Sequence, residues 1–247
     1  MNDSDLLWLT DADNTLWDTN GVYVNAQIAL VDGIICATGR PLRAPDRLAW
    51  LRECDQDIAA THPNGLRYPP ELLVSALLRR IYLEDSSDQY LRDGNALALG
   101  ATDELVHHYL QMLKATPSLL PGVQSGLRTL HALGSRIIVV TEGAADRINT
   151  TLCHYELSSL MYSVVEARKS SSLFSEIRNA HTCSNYWAVG DQLDRDVIPA
   201  IAAGFQGIFI EGGFTPRWHP DVRHDGEYIV MANYGDAARF VASTISE

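Results

Sequence analysis

Two aspartates near the beginning of the chain have the residue type and spacing of reacting groups. Asp11 and Asp13 follow directly after the mainly apolar run of residues 6–10, and Thr15 comes two positions later. A continuous run of this length predicts a strand that is buried on both faces of a parallel sheet. Open α/β sheets bind ligands at the carboxyl ends of their strands. If both carboxylates enter one crevice there, the site holds a nucleophile and a proton-transfer group.

The D-x-D spacing by itself carries little weight. It occurs four times in the chain, at Asp3/Asp5, Asp11/Asp13, Asp55/Asp57 and Asp194/Asp196. Three of these pairs do not come directly after an apolar strand. A polar exit from an ordinary strand is a fair alternative interpretation for the remaining pair, so the case for a site depends on partners elsewhere in the chain.

A hydroxyl follows a second predicted strand. The apolar run 137–140 ends at Thr141, and Glu142 and Gly143 lead into a predicted helix. A hydroxyl together with backbone N–H groups at the start of a helix can bind an anion. An ordinary helix N-cap is the alternative, with about equal support from these residues.

A lysine follows the predicted strand 161–166. Only two of the 19 Lys and Arg residues in the chain are lysines, Lys114 and Lys169, and Lys169 stands at this strand end. An ammonium group there can neutralise a carboxylate nucleophile and a phosphoryl oxygen together. A solvated charge ahead of a helix is the alternative.

Acidic residues follow the predicted strand 186–189. Gly190 is followed by Asp191, Asp194 and Asp196. Mg²⁺ prefers octahedral oxygen ligation with few protein carboxylates, so these residues could join Asp11 in holding a divalent cation. The alternative is an N-cap aspartate with ordinary surface charges.

The elements that would position these residues alternate between strand and helix after Pro121. The predicted strands are 6–10, 137–141, 161–166, 186–189, 207–210 and 228–231. The predicted helices are 21–37, 45–60, 70–84, 102–114 with Thr102 as N-cap, 123–133, 144–153, 172–182, 194–203 and 235–244, and 213–227 is a predicted loop. Strands separated by helices of this size predict an α/β, doubly wound parallel sheet. We therefore expect a core domain made of 1–17 and 121–247, interrupted by a helical insertion at 18–120.

Composition excludes several classes of protein. A chain of 247 residues with a formal net charge of -12 argues against general binding to nucleic acid or to an anionic membrane, because both depend on Lys and Arg patches. The four cysteines show neither C-x-x-C spacing nor the density of a disulfide framework. We find no secretory signal and no run of 18 apolar residues. These features predict a soluble, cytoplasmic protein, and they leave its oligomeric state open.

The motifs, in their order, resemble those of the haloacid dehalogenase-like (HAD) hydrolase superfamily. Residues 11–15, Asp-Ala-Asp-Asn-Thr, look like its first motif, D-x-D-x-T. Thr141 matches the second motif and Lys169 the third, and residues 190–196 match the fourth, G-D-x-x-x-x-D. The resemblance covers the whole predicted core and implies a Rossmann-like HAD fold. The insertion has the position and helical character of that family's cap domain.

The resemblance implies a role for each matched residue. Asp11 would attack phosphorus and form an aspartyl-phosphate, and Asp13 would act as general acid and then general base. Thr141 and the backbone N–H groups of Glu142 and Gly143 would bind the transferring phosphoryl group. Lys169 would hold Asp11 and balance charge. The resemblance also implies Mg²⁺ as cofactor, bound by Asp11, Asp191 and the backbone carbonyl of Asp13. Asp196 would bind the ion either directly or through water.

Three positions depart from the family pattern. Glu142 stands where the family often has a neutral residue, and we expect its side chain to turn away from the phosphate. Ser170 follows Lys169 where proline is common, and Asp194 is an extra acid that could compete with Asp196 beside the metal. The spacing from Asp191 favours Asp196.

The expected activity is that of a Mg²⁺-dependent phosphatase acting on a small-molecule phosphate ester. A phosphotransferase or phosphomutase would use the same aspartyl-phosphate, and a non-catalytic binding protein is the alternative from another class. The dehalogenase branch lacks the second aspartate, so Asp13 argues against it. In the insertion, the polar and aromatic residues expected to face a substrate are Asn20, His62, Asn64, Arg67 and Tyr68.

Overall fold

The computed structural model describes residues 5–83, 94–212 and 228–245, without the side chains of 94–100. The strands are β1 Leu6–Thr10, β2 Arg136–Thr141, β3 Ser163–Glu166, β4 Asn185–Gly190, β5 Gln206–Ile210 and β6 Tyr228–Met231. The helices are α1 Thr19–Thr38, α2 Arg47–Thr61, α3 Pro70–Leu83, α4 Gly94–Met112, α5 Val123–Ala132, α6 Ala145–His154, α7 Ser171–Asn179, α8 Ile198–Ala202 and α9 Tyr234–Ile245. A 3₁₀ turn at Ser158–Leu160 and a π-helical turn at Leu193–Val197 complete the described elements.

The strands of the described ranges form one parallel sheet in the order β3-β2-β1-β4-β5-β6. β1 lies in the interior of the sheet, and Thr10 is in register with Val139 of β2 and Val189 of β4. Because parallel strands point the same way, the ends of β1, β2 and β4 meet at one edge. The prediction of an α/β, doubly wound parallel sheet is confirmed.

Both faces of the sheet are covered by helices. Alternate residues of β1 enter different cores: Trp8 packs with residues of α5, α6 and α9, and Leu9 packs with residues of α7 and α8. This is the two-residue period of a strand. All five residues of β1 are therefore buried, which is why its sequence is apolar without alternation.

The described residues divide into two compact units. One includes residues 5–20, 117–212 and 228–245 and contains the sheet. The other includes residues 21–83 and 94–116 and, within those ranges, is helical. The helical unit has its own apolar core, which includes Leu30, Leu51 and Leu77.

Helix α1 is the one helix of the described ranges that is long and apolar enough to cross a membrane by length and composition. A buried core helix satisfies the same criterion. Leu30, Val31 and Ile34 of α1 are buried in the core of the helical unit. The prediction of a cytoplasmic location stays a prediction.

Two predicted helices differ in the structure. α4 begins at Gly94, so Thr102 lies inside it and is not the N-cap; the hydroxyl residue gave a false start signal within a longer helix. The predicted helix 194–203 begins as the π-helical turn and becomes α-helical only at Ile198. Pro199 has no N–H to donate to the preceding turn, which favours an irregular start. The predicted loop at 213–227 lies outside the described residues.

Candidate active site

Three carboxylates converge at the edge of the sheet where β1 and β4 end. Asp11 follows β1, Asp191 follows β4, and Asp196 lies on the π-helical turn. One oxygen from each carboxylate lies within 4.8 Å of the others. The Asp11 N–H donates to Val189 O at 3.0 Å, which extends the β1–β4 pairing by one residue and fixes the backbone of Asp11.

The ammonium group of Lys169 lies among these carboxylates. Lys169 leaves the sheet after β3, and its Nζ contacts Asp11 Oδ1 and lies 2.5 Å from Asp196 Oδ1. The Lys169 side chain is 6% exposed. Because β2 lies between β3 and β1, the long lysine side chain is what joins the end of β3 to the end of β1.

Burial and mutual repulsion raise the pKa of two acids of the site, Asp11 and Asp191. Burial raises the pKa of Asp11 to about 7, although Lys169 acts in the opposite direction. Burial, reinforced by Asp11 and Asp196, raises the pKa of Asp191 to about 9. For Lys169, burial disfavours the charge but Asp11 and Asp196 outweigh it and raise the pKa above its ordinary value. Three carboxylates face one ammonium, so the cluster carries excess negative potential.

The carboxylate cluster fits a divalent cation by its donor atoms. Asp191 Oδ1 is buried and accepts no hydrogen bond from the described residues. A buried acceptor without a partner is costly unless a ligand, ion or water completes it. The donors are carboxylate oxygens, which Mg²⁺ prefers. Asp11, Asp191 and Asp196 would hold the ion. Metal binding by the Asp13 carbonyl stays a prediction.

Asp13 lies in a tight turn after β1. Asn14 adopts a left-handed conformation with φ of 59°, and its N–H donates to Trp17 O at 2.8 Å. This turn brings Asp13 Oδ1 to the Thr19 hydroxyl at 2.5 Å and the Trp17 indole N–H at 3.3 Å. Those two donors fix the carboxyl group. Its other oxygen, Oδ2, lies on the side of Gly143.

The residues after β2 meet the same edge of the sheet. The Gly143 N–H donates to Thr141 Oγ1 at 3.0 Å, and Thr141 is buried. Because the hydroxyl oxygen accepts that bond, its hydrogen is directed elsewhere and can be donated to an anion. The Glu142 carboxylate accepts from the Lys169 N–H at 3.1 Å and lies 3.2 Å from Arg195 Nη1. Phosphate binding by the N–H groups of Glu142 and Gly143 stays a prediction.

Gly190 has a role in the site that its place in the fourth motif did not reveal. A Cβ at Gly190 would lie 2.3 Å from Asp196 Cβ and 2.4 Å from Asp196 Oδ2. A Cβ at Gly212 would lie 2.6 Å from Asp191 Oδ2. The two glycines therefore leave the space that the Asp196 and Asp191 carboxylates occupy.

The residues expected to contact a substrate have ordinary local partners in the described structure. The Asn20 N–H donates to Asn14 Oδ1 at 2.8 Å, and His62 Nδ1 accepts from the Asn64 N–H at 3.2 Å. Arg67 is exposed. Tyr68 is only 8% exposed and donates its hydroxyl hydrogen to Asp55. Substrate contact by these five residues stays a prediction.

Asp55, which belongs to another of the D-x-D pairs, is half-buried. It lies on α2, and burial raises its pKa although the hydrogen bond from Tyr68 acts in the opposite direction. Apolar surroundings and a hydroxyl donor are the conditions of a structural acid in a helical core.

Comparison with known proteins agrees with this fold. Residues 166–237 match the family model described as HAD-hydrolase-like, a span that includes Lys169, Asp191 and Asp196. A search of curated protein sequences found no match. Asp11, Asp13 and Thr141 lie outside the residues matched by the family model.

Solved structures of three proteins resemble the chain over nearly its whole length. A haloacid dehalogenase-like family hydrolase from Xanthomonas campestris has a TM-score of 0.62 at 14% identity, with 98% of this chain and 96% of that chain covered. The candidate HAD-hydrolase YfnB from Bacillus subtilis, bound to magnesium, has a TM-score of 0.60 at 15% identity, with 96% and 98% covered. A candidate β-phosphoglucomutase from Thermotoga maritima has a TM-score of 0.60 at 12% identity, with 96% and 99% covered. The chain thus has the HAD-like hydrolase fold, and residues 166–237 carry that family's sequence pattern.

Replacing Asp191 by asparagine should stabilise the metal-free protein. The folded-state pKa of about 9 lies above the ordinary value of 3.8, so the cost of burying this acid grows as pH rises from about 4 to about 9. We expect Asp191→Asn to raise the melting temperature at pH 8 by a few degrees, which corresponds to about 1–2 kcal/mol in the free energy of unfolding for a chain of this length. The increase should be smaller at pH 5. Thermal melts with a chelator present measure this.

Asp194→Asn is the matched control for that experiment, because Asp194 is exposed in the same motif. It should change the melting temperature little at either pH. Excess Mg²⁺ should stabilise the wild type and the control but not Asp191→Asn. A lower melting temperature for metal-free Asp191→Asn at pH 8 would contradict the argument.

Gly190→Ala should displace Asp196. The added methyl group overlaps the Asp196 side chain, and overpacking of this kind costs about 1–3 kcal/mol. We expect a lower melting temperature and weaker stabilisation by Mg²⁺. In an Asp196→Gly background, which lacks the overlapping atoms, Gly190→Ala should cost less stability than it does in the wild type. If Gly190→Ala has the melting temperature of the wild type, the close approach of Gly190 to Asp196 does not restrict the residue type at position 190.

Proposed function

We propose that the chain is a Mg²⁺-dependent phosphatase that hydrolyses a small phosphorylated metabolite through a phosphorylated Asp11. The observation that carries the proposal is the Lys169 ammonium group in contact with both Asp11 and Asp196, beside the unpartnered Asp191 Oδ1. A carboxylate nucleophile needs cationic neighbours to approach a phosphate dianion. Lys169 is one such neighbour, and a Mg²⁺ ion held by the carboxylate cluster would be another.

The first step transfers the phosphoryl group to the enzyme. An Asp11 carboxylate oxygen attacks phosphorus while the bond between phosphorus and the leaving oxygen breaks. Asp13 donates its proton to that leaving oxygen, and the alcohol departs. Thr141 donates its hydroxyl hydrogen to a phosphoryl oxygen, and Lys169 compensates the charge of Asp11 and of the phosphoryl group. When bound, Mg²⁺ supplies neutralisation of the charge that the phosphoryl oxygens carry.

The second step releases phosphate. Asp13, now ionised, takes a proton from a water molecule, and the water oxygen attacks the phosphorus of phospho-Asp11. The bond between Asp11 and phosphorus breaks, which leaves inorganic phosphate and the original carboxylate. The contacts of Asp13 with Thr19 and Trp17 hold its carboxyl group in one orientation for both transfers.

We propose further that residues 1–17 and 121–247 act as the catalytic core and that residues 18–120 act as a cap that selects the substrate. The net charge of -12 supports a small-molecule phosphate ester over nucleic acid as the partner.

Asp11→Asn should abolish phosphate release from p-nitrophenyl phosphate, because the amide cannot act as the nucleophile. The loss should reach the detection limit while circular dichroism shows that the variant keeps the fold of the wild type. A screen over sugar phosphates, nucleotides and phosphoglycolate-like acids then identifies the substrate class. Retained turnover in Asp11→Asn would rule out the assigned nucleophile.

The same screen separates the alternatives. Transfer of the phosphoryl group to a sugar phosphate acceptor, in place of release as inorganic phosphate, would identify a phosphotransferase. No turnover by the wild type with any ester would support a binding protein.

Removal of metal should stop turnover, and Mg²⁺ should restore it. Chelation leaves three carboxylates with one ammonium as counter-charge, so a phosphate dianion is repelled. Ca²⁺ should replace Mg²⁺ without supporting activity, and beryllofluoride should inhibit by occupying Asp11. Full activity in the presence of a chelator would be incompatible with the proposal.

A further inference from the structure

The Glu142 carboxylate joins three segments that carry parts of the site. Glu142 follows β2, its Oε1 accepts the Lys169 N–H at 3.1 Å, and its Oε2 lies 3.2 Å from Arg195 on the π-helical turn. The Glu142 side chain is 19% exposed, whereas that of Arg195 is 51% exposed. A single side chain therefore connects the ends of β2 and β3 with the turn that follows β4.

These contacts connect Glu142, Lys169, Asp196 and Arg195 in a closed ring. Lys169 is bound at its backbone N–H by Glu142 and at its Nζ by Asp196 Oδ1, 2.5 Å away. Asp196 is the neighbour of Arg195 along the chain, and Arg195 returns to Glu142. Asp196 is itself fixed by the Gln192 N–H, which donates to its Oδ2 at 2.9 Å. Movement of any one member would disturb the others.

We propose that Glu142 is a positioning residue, which sets the place of Lys169 and of the turn carrying Asp196 relative to Asp11. The inference rests on the proposed phosphatase function and adds a role for a side chain that does not touch the reacting atoms. It also explains how a carboxylate is tolerated beside a phosphate site, since both of its oxygens are directed to donors.

This arrangement matters more for the placement of the reacting groups than for the stability of the protein. An ion pair with a half-exposed arginine contributes little to stability. Catalysis, in contrast, depends on the placement of reacting groups to a fraction of an ångström, and a displacement of 1 Å costs about 100-fold in rate. A loss of the Glu142 contacts should therefore lower kcat more than it lowers stability.

The kinetic test compares Glu142→Ala, which removes both contacts, with Glu142→Gln, whose amide oxygen can still accept the Lys169 N–H. With p-nitrophenyl phosphate we expect kcat to fall about tenfold in Glu142→Ala and about threefold in Glu142→Gln, with KM nearly unchanged. Arg195→Gln should resemble Glu142→Gln. The double variant Glu142→Gln/Arg195→Gln should lose no more than either single variant, because both changes remove the same contact.

Glu166→Gln is the matched control. The Glu166 carboxylate accepts the Ala145 N–H at 2.8 Å and so also joins the ends of β2 and β3, but the bond does not involve Lys169 or Arg195. This variant should keep the kcat of the wild type. Equal kcat for Glu142→Ala, Glu166→Gln and the wild type would overturn the proposal.

A second readout does not depend on activity. The chain has only two lysines, so acetylation with acetic anhydride can be followed at Lys169 by mass spectrometry with the exposed Lys114 as internal reference. Buried Lys169 should react slowly in the wild type and in Glu166→Gln. We expect Glu142→Ala to raise the ratio of Lys169 to Lys114 labelling several-fold, and Glu142→Gln to raise it less.

The two readouts separate failure of this inference from failure of the proposed function. If the wild type hydrolyses no ester but Glu142→Ala still raises labelling at Lys169, the positioning role stands and the phosphatase assignment fails. If the wild type is active and Glu142→Ala changes neither labelling nor kcat, Glu142 does not position Lys169.

Discussion

One buried ammonium group shared by two carboxylates is the interaction on which the site depends. Lys169 contacts Asp11 and Asp196 in surroundings from which water is nearly excluded. Burying charges costs several kcal/mol for each ion unless their partners are well placed. Removing one partner of such a group typically costs about 3–5 kcal/mol. The three chain segments that carry these residues are therefore held together by this contact. In the proposed mechanism the same contact would prepare Asp11 as the nucleophile.

The strand order allows this contact to form. β1 lies between β2 and β4, and β3 lies beyond β2, so the ends of four neighbouring strands face one edge. Residues at strand ends need no long loops to meet there. Trp8 and Leu9 of β1 are buried in different cores, so a shift of register by one residue would exchange side chains between the cores and move Asp11 away from Lys169. The same packing therefore stabilises the sheet and fixes the positions of the site residues.

The sequence predicted the sheet and the positions of the acids because both depend on local signals. Each buried run is followed at once by its polar residue, as at Asp11, Thr141 and Asp191. The π-helical turn, the early start of α4 and the partners of Glu142 were not predicted. The Glu142 side chain was expected only to turn away from the phosphate, and its bonds to Lys169 and Arg195 link residues distant in sequence. No periodicity or motif spacing contains such information.

The four D-x-D pairs illustrate why spacing is insufficient. Asp11 and Asp196 belong to different pairs, yet they share one lysine, whereas Asp194 is exposed and Asp55 is bound by Tyr68 in a helical core. These aspartates differ in the local dielectric and in the nearest cation or hydroxyl group, and tertiary packing determines both. The same argument applies to Tyr68, which was expected to face a substrate and whose hydroxyl group donates to Asp55. A residue type indicates which chemistry is possible, and the fold decides whether that chemistry is used for packing or for reaction.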